Sequence, residues 1–339
     1  MKRKLLISTL ASCCIAITMS AQDTFKPDIR AKVNKQVCFP QTVPPGNYSG
    51  ITWLGGNTYA VMSDKAKSDG FFIFHINIDP DTGQISHAYN DEFRSADRPN
   101  RDMEGIAFVP SDSTIFISGE DGNKIMEYRL ANGQRTGREF HIPDSFAMSH
   151  PNYGFESLTY NAATRLFWTV SESTLPIDGS PASPSNKCRN HLRLLCFDES
   201  LKLVAEHPYE MEMPELKSSS AENYAMGVSE LCALDDGRLL VLERELYAPA
   251  LKFGSFVNCK LYVVDPTEKS YSKYIHKKLV TQFKTSMTGL KKDFANWEGM
   301  CLGPKLNDGR QVLVMISDSQ NQYKGVLKDW LQTIILSYE

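Results

Sequence analysis

Glu104-Gly-Ile-Ala-Phe108, followed closely by Thr114-Ile-Phe-Ile-Ser-Gly-Glu120, is the stretch on which the fold turns. An acidic residue opens one apolar run, and a second apolar run ends in another acidic residue. The same arrangement recurs as Glu156-Ser-Leu-Thr-Tyr160 with Phe167-Trp-Thr-Val-Ser-Glu172, and as Glu298-Gly-Met-Cys-Leu302 with Leu313-Val-Met-Ile-Ser-Asp318. Two variants complete the set: Ser49-Gly-Ile-Thr-Trp53 with Tyr59-Ala-Val-Met-Ser-Asp64, and Glu230-Leu-Cys-Ala-Leu234 with Leu239-Leu-Val-Leu-Glu243. Strand pairs repeating every roughly 50 to 75 residues are the signature of a β-propeller built from four-stranded blades.

A third strand-like run follows each pair, at residues 71–78, 124–130, 192–197, 260–264 and 333–338. A fourth, more polar segment follows in the first four units, at 84–93, 138–142, 203–210 and 272–283. Apolar inner strands and polar outer ones are what a blade requires, because neighbouring blades pack its inside and water meets its edge. The last unit has no fourth segment of its own. The spare N-terminal run Val33 to Phe39 is therefore expected to pair with Thr333 to Tyr338 and close the ring, which removes an exposed sheet edge. The expectation is an all-β, five-bladed propeller, with six blades as the alternative if a divergent unit lies before Glu230 or Glu298.

The bulk properties narrow the setting. Lys2-Arg3-Lys4, an apolar run from Leu5 to about Met19 and the small-residue exit Ser20-Ala21 predict a secretory signal peptide over residues 1–21. Residues 22–339 are then the propeller domain, exported to the periplasm or secreted. Lipidation at Cys13 is the alternative, disfavoured because the apolar run continues past that residue. No later stretch is apolar enough to span a membrane. The net charge of -3 argues against nucleic acid as a partner. Of the eight cysteines, the six beyond the leader (Cys38, Cys188, Cys196, Cys232, Cys259 and Cys301) are scattered without metal-ligand spacing.

In a propeller the start of each inner strand and the end of the next strand lie at the same end of the axis. Ser49, Glu104, Glu156, Glu230 and Glu298 are expected to form an inner ring there, with Asp64, Glu120, Glu172, Glu243 and Asp318 around it. Carboxylates gathered over apolar strands repel one another and need a counter-charge. Arg101, Lys65, Arg189, Arg193 and Arg244 are near in sequence, but a divalent cation meets the need with fewer groups. An all-oxygen donor set without His or Cys selects calcium, with Ser49, Glu104, Glu156, Glu230 and Glu298 as its ligands. The plainer reading for any single acid is a strand cap or a surface ion pair.

The full motif set resembles the phytase-like family, described by an esterase-like activity of phytase. The residues carrying the resemblance are Tyr48-Ser49-Gly50-Ile51, Asp102-Met103-Glu104-Gly105-Ile106-Ala107, Asn152-Tyr153-Gly154-Phe155-Glu156, Val228-Ser229-Glu230-Leu231, Leu242-Glu243-Arg244, Asn296-Trp297-Glu298-Gly299-Met300 and Ser317-Asp318. The loop Asp318-Ser319-Gln320-Asn321 departs from the Asp-Asn-Asp pattern expected of the family. The resemblance implies a relation to calcium-dependent propeller phytases, which hydrolyse phosphate monoesters. The inner-ring order is also similar to that of calcium-activated nucleotidases, where each inner strand presents a Ser or Glu to one ion.

These readings give a calcium-dependent phosphoesterase, monomeric, acting on a small phosphate ester. Glu120, Glu172 and Glu243 are its candidate general bases, Arg244 and Asp102 further candidate catalytic groups, and Asp64, Arg101 and Asp318 the substrate-binding residues. Arg244 is the candidate phosphate clamp. A Ser-His-Asp triad is disfavoured, because Gly227-Val-Ser229 lacks the second glycine of a nucleophile elbow and the seven histidines share no register. The competing class is a non-catalytic propeller with a structural calcium. Such a protein would bind a sugar or peptide across a rim formed by Trp53, Tyr153, Phe155, Tyr224 and Trp297.

Overall fold

The structure is a computed structural model that describes residues 26–146, 154–216, 223–249, 253–268, 273–289 and 292–339. Residues 1–21, over which a signal peptide is expected, with Cys13, and Asn152 and Tyr153 of the third motif, lie outside the described residues. β1 spans Ile29–Val33. The first sheet follows with β2 (Ile51–Gly55), β3 (Thr58–Val61), β4 (Ser68–Ile78) and β5 (Ile85–Pro99). The second holds β6 (Met103–Val109), β7 (Thr114–Gly119), β8 (Lys124–Arg129) and β9 (Arg135–Glu139). The third holds β10 (Thr159–Asn161), β11 (Leu166–Thr169), β12 (His191–Phe197) and β13 (Leu203–Glu210). The fourth holds β14 (Asn223–Ala233), β15 (Leu239–Ala248), β16 (Ser255–Val264) and β17 (Lys277–Met287). The fifth is formed by β18 (Asn296–Lys305), β19 (Gln311–Asp318) and β20 (Leu331–Tyr338), with β1 at its outer edge.

All pairings within these five four-stranded sheets are antiparallel. Burial follows the gradient in the sequence. Every residue of β7 and β19 is buried, whereas β9 is half-buried or exposed throughout and β17 is so at every position but Thr285. The intervals before Glu230 and Glu298 hold no further four-stranded sheet among the described residues.

The strand that completes the fifth sheet lies earlier than residues 33–39. β1 pairs Ile29 with Tyr338 and Val33 with Ile334, and Val37 contributes only one isolated bridge to Leu331. The reason is periodicity. Ile29, Ala31 and Val33 turn inward against the core while Arg30 and Lys32 face outward, a pattern that residues beyond Val33 do not continue.

The hydrophobic core is divided among the spaces between sheets. Met62, Phe71 and Ile73 pack on Ile106, Ile115 and Ile117 between the first and second. Phe116 and Phe140 meet Phe155, Phe167 and Phe197 between the second and third. Trp168 and Leu194 meet Val228 and Val241, and Leu242 and Leu261 meet Trp297 and Met315. Ile316 and Ile335 pack on Tyr59 and Phe74, which returns the sequence of interfaces to the first sheet. The inner strands β2, β6, β10, β14 and β18 neighbour one another in the same cyclic order.

Their close approach explains two glycines. A Cβ on Gly105 would lie 2.5 Å from the Leu158 nitrogen, and one on Gly50 would lie 2.4 Å from the Glu104 carbonyl oxygen. The loop from Ser173 to Asn190 folds back rather than standing open, because Asn190 Oδ1 accepts from Ser173 Oγ, Thr174 Oγ1 and the Ala182 amide. Cys196, Cys232, Cys259 and Cys301 are buried and, with Cys38 and Cys188, carry free thiols.

Candidate metal centre

Irregularities in the inner strands aim the acidic side chains. The β18–β19 ladder pairs Trp297 with Ser317 and then Gly299 with Ile316, so Glu298 is the extra, bulged residue. The β6–β7 ladder shifts register between Met103 and Ile106, over Glu104 and Gly105. In the β14–β15 ladder Val228 pairs with Glu243 and Glu230 with Leu242, which makes Ser229 the bulged residue. A bulge re-aims one side chain out of the alternating pattern.

The consequence is a one-residue correction in the fourth sheet. Ser229, not Glu230, matches Glu298 in the ladder, and Arg244, not Glu243, matches Asp318 opposite Asn296. A shift of one residue sends a strand side chain to the other face. Glu230 thus takes the place that Gly299 has in the fifth sheet. It is buried, its Oε1 accepts the Leu231 N–H at 2.9 Å, and its Oε2 has no hydrogen-bond partner. Burial pushes its carboxyl well above the usual range, against the backbone N–H groups of Leu231, Leu158 and Met300 facing it. Glu243 turns away from the mouth as well. Its Oε1 accepts from Tyr209 Oη at 2.7 Å and Lys277 Nζ at 2.6 Å.

The mouth itself collects Asp64, Glu104, Glu120, Glu156, Glu172, Glu298 and Asp318. Burial pushes Glu104 well above the usual carboxylate range, and Glu156, Glu298, Asp64 and Glu120 add to the rise. Glu156 is raised by burial and by Glu172, against the pull of Arg244. Glu298 is pushed up to about 8 by burial and Asp318, and Asp318 to about 7 by burial against the Gln320 N–H. Burial also raises Asp64 and Glu120, the latter opposed by the Gly154 N–H that its Oε1 accepts at 2.8 Å.

One buried guanidinium answers this cluster. Arg244, 5% exposed, donates from Nη2 to Glu172 Oε1 and from Nη1 to Glu298 Oε1, each at 2.6 Å, and from Nη1 to Asn296 Oδ1 at 2.9 Å. Asn296 Nδ2 also donates to Glu298 Oε1 at 2.6 Å. Burial opposes the charge on Arg244, but Glu298, Glu172 and Glu156 hold it protonated. Arg244 therefore binds carboxylates of the protein and is not an open clamp.

On the opposite side Asp64, Asp102 and Glu104 each bring an oxygen within 4.8 Å of the others. Lys65 pairs with Asp102 and lies 3.2 Å from Asp64 Oδ2, while Asp64 Oδ1 is buried without a hydrogen-bond partner. Asp64, Lys65, Asp102 and Glu120 border an open hollow of about 570 Å³. Arg101 borders it too, but its guanidinium is turned inward, donating to Tyr128 Oη at 3.1 Å and the Lys124 carbonyl at 3.2 Å. Ser49 is buried at the mouth and donates its Oγ hydrogen to the Met103 carbonyl at 2.8 Å.

The donor set fits a hard cation. It is all oxygen, carries more carboxylates than the nearby cations offset, and includes an unpartnered buried oxygen on Asp64. Three of the aromatic residues named for a rim platform are engaged elsewhere. Phe155 and Trp297 are fully buried between sheets, and Tyr224 donates its Oη hydrogen to Glu245 at 3.0 Å.

The phytase-like family description, esterase-like activity of phytase, matches residues 43–320, most of the chain. The chain belongs to the phytase-like family. This phytase-like chain is also similar in fold to several solved structures. They include a streptogramin B lyase (12% identity, TM-score 0.39, covering 91% of this chain and 98% of that one). An endo-arabinase from Bacteroides thetaiotaomicron has 9% identity and a TM-score of 0.47, with 88% and 97% covered. The β-propeller domain of Myceliophteria thermophila Cps50 (Swd1) has 10% identity and a TM-score of 0.33, with 91% and 100% covered. No curated protein matches the phytase-like chain by sequence. No helix among its described residues is long and apolar enough to cross a membrane.

Proposed function

We propose that this phytase-like protein is an exported, monomeric, closed five-bladed propeller whose acidic mouth binds calcium and hydrolyses a phosphoester. The observation that carries the reading is the excess of buried carboxylates at the mouth over one buried guanidinium, together with the unpartnered Asp64 oxygen. Glu104, Glu156 and Glu298, with Asp64, Asp102 and Asp318, are the oxygen ligands available. Glu230 lies one residue deeper and serves the strands instead.

A bound calcium would neutralise phosphate charge and lower the pKa of a water molecule. The chain's own groups divide the remaining work. Glu120 borders the open hollow and keeps one oxygen clear of the Gly154 amide, which suits it to take a proton from water. Lys65, more than half exposed, is the cation placed to meet a phosphate entering from solvent. Arg244 holds Glu172 and Glu298 in place and keeps them apart.

The test is hydrolysis of a panel of phosphate esters by the chelated chain before and after calcium is restored. Turnover that returns with calcium and is lost in Glu120→Gln supports the reading. Absence of turnover on every ester, with calcium still raising Tm, makes the ion structural and overturns it.

A further inference from the structure

A second cavity adjoins the mouth on the side of the fourth and fifth sheets. It has a volume of about 700 Å³, within the span of small-molecule sites, and it opens onto Asn296 and Asp318. Its walls include Leu246, Phe253, Met287, Phe294, Tyr323 and Val326. Phe253 is 68% exposed, Val326 50% and Tyr323 38%, so three of the large apolar side chains left facing water gather at this one place. Scattered exposed apolar residues are ordinary, whereas a concave group of them marks a binding surface.

The loop that forms one wall is held in an unusual conformation. Gln320, Asn321, Gln322 and Lys324 all have φ between 49° and 55°, the left-handed region that non-glycine residues rarely enter. A network fixes the loop from behind. Ser319 Oγ donates to Asp329 Oδ1 at 2.6 Å, Gln322 Nε2 donates to Asp329 Oδ2 at 2.8 Å, and the Asn321 N–H donates to the Gly46 carbonyl at 3.0 Å. Backbone strain of this kind persists where surrounding contacts impose it, and it concentrates at ligand clamps. This is also the loop that departs from the Asp-Asn-Asp pattern of the family: beyond Asp318 it carries Ser319 and Gln320 in place of the Asn and the second Asp, and it sets Tyr323 and Val326 into the cavity wall.

We infer that the cavity binds the aromatic or apolar organic portion of the ligand whose phosphate occupies the acidic mouth. The inference rests on the phosphoester reading of the mouth, and it names the substrate class as an aryl or similarly apolar phosphate monoester. Lys292 and Lys324 line the same cavity and complement the negative charge of such a compound, which the carboxylates of the mouth alone would repel. A highly charged polyol phosphate would leave the apolar walls exposed to water. The contact between the two regions is Asp318, which lines the cavity and neighbours Asp64 across the mouth.

Two measurements on the full chain separate this inference from the reading of the mouth. The first is the affinity for 2-naphthol, by fluorescence titration in chelator, for the wild type, Val326→Asp and Phe253→Ala. The second is kcat/KM with calcium for 2-naphthyl phosphate against glycerol phosphate. The expected result is saturable binding of 2-naphthol, weakened at least about tenfold in Val326→Asp, and a naphthyl preference of at least about tenfold. Binding of 2-naphthol with neither ester cleaved upholds the cavity and overturns the phosphoester reading. Equal cleavage of both esters without binding of 2-naphthol overturns the cavity and upholds the mouth. Both substituted side chains are exposed, and retention of the wild-type Tm establishes that each variant is folded.

Discussion

Arg244 joins Glu172 of the third sheet to Glu298 of the fifth, one carboxylate on each of its terminal nitrogens at 2.6 Å. It stands opposite Gly227, as Asp318 stands opposite Asn296, and as Asp64, Glu120 and Glu172 donate their backbone N–H to the carbonyls of Asn47, Asp102 and Gly154 just past their strands. A cation thus replaces an anion at one of five equivalent positions. Breaking a buried pair by removing one partner leaves an uncompensated charge and is destabilising by about 3–5 kcal/mol. Arg244→Leu is expected to lose stability on that scale in chelator, measured by urea unfolding, with part of the loss recovered on adding calcium. An unchanged midpoint would show that the guanidinium does not balance the cluster.

Glu243 is predicted to matter for stability rather than for chemistry. Its carboxylate is occupied by Tyr209 and Lys277 on the far face of β15. Glu243→Gln is expected to cost about 1.5–3 kcal/mol, the worth of hydrogen bonds to a charged group. Its calcium affinity should equal that of the wild type in a calorimetric titration, and a large drop there would place Glu243 back at the mouth.

The pH dependence has a definite sign. Glu298 is raised from an ordinary 4.5 to about 8, so the folded chain prefers it protonated. The stabilisation is complete below pH 4.5 and is lost as pH rises to about 8, because the unfolded chain ionises first. Glu104 and Glu156 shift in the same direction. The calcium-free chain is therefore expected to lose Tm from pH 5 to pH 8, and the Tm gain on adding calcium is expected to grow across that window. A calcium effect that shrinks with rising pH contradicts carboxylate ligation.

Much of this was legible in the sequence because strand periodicity and repeated acidic ends are local signals. The five units, their inner strands and the convergence of Glu104, Glu156 and Glu298 follow from them directly. The fourth unit was misread by one residue because Glu230 and Glu243 look like members of the series by residue type alone. Aligning Ser229-Glu230-Leu231 with Ser49-Gly50-Ile51 puts Ser229 in the ring and Arg244 in place of an acid, a signal present in the sequence. The inward turn of Arg101 toward Tyr128 had no such signal, since it depends on contacts between segments that only the folded chain brings together. The strand β1 did carry a signal, the alternation Ile29-Arg30-Ala31-Lys32-Val33, which places it earlier than residues 33–39.

The central claim is that the mouth is a calcium site built from the bulged glutamates, and calorimetric titration of calcium into the chelated chain tests it most directly. The account predicts saturable binding to the wild type, at least about tenfold weaker binding to Glu104→Gln, as expected when a charged ligand oxygen is lost, and unaltered binding to Glu230→Gln. No calcium uptake by the wild type, or equal affinity in Glu104→Gln, would contradict it.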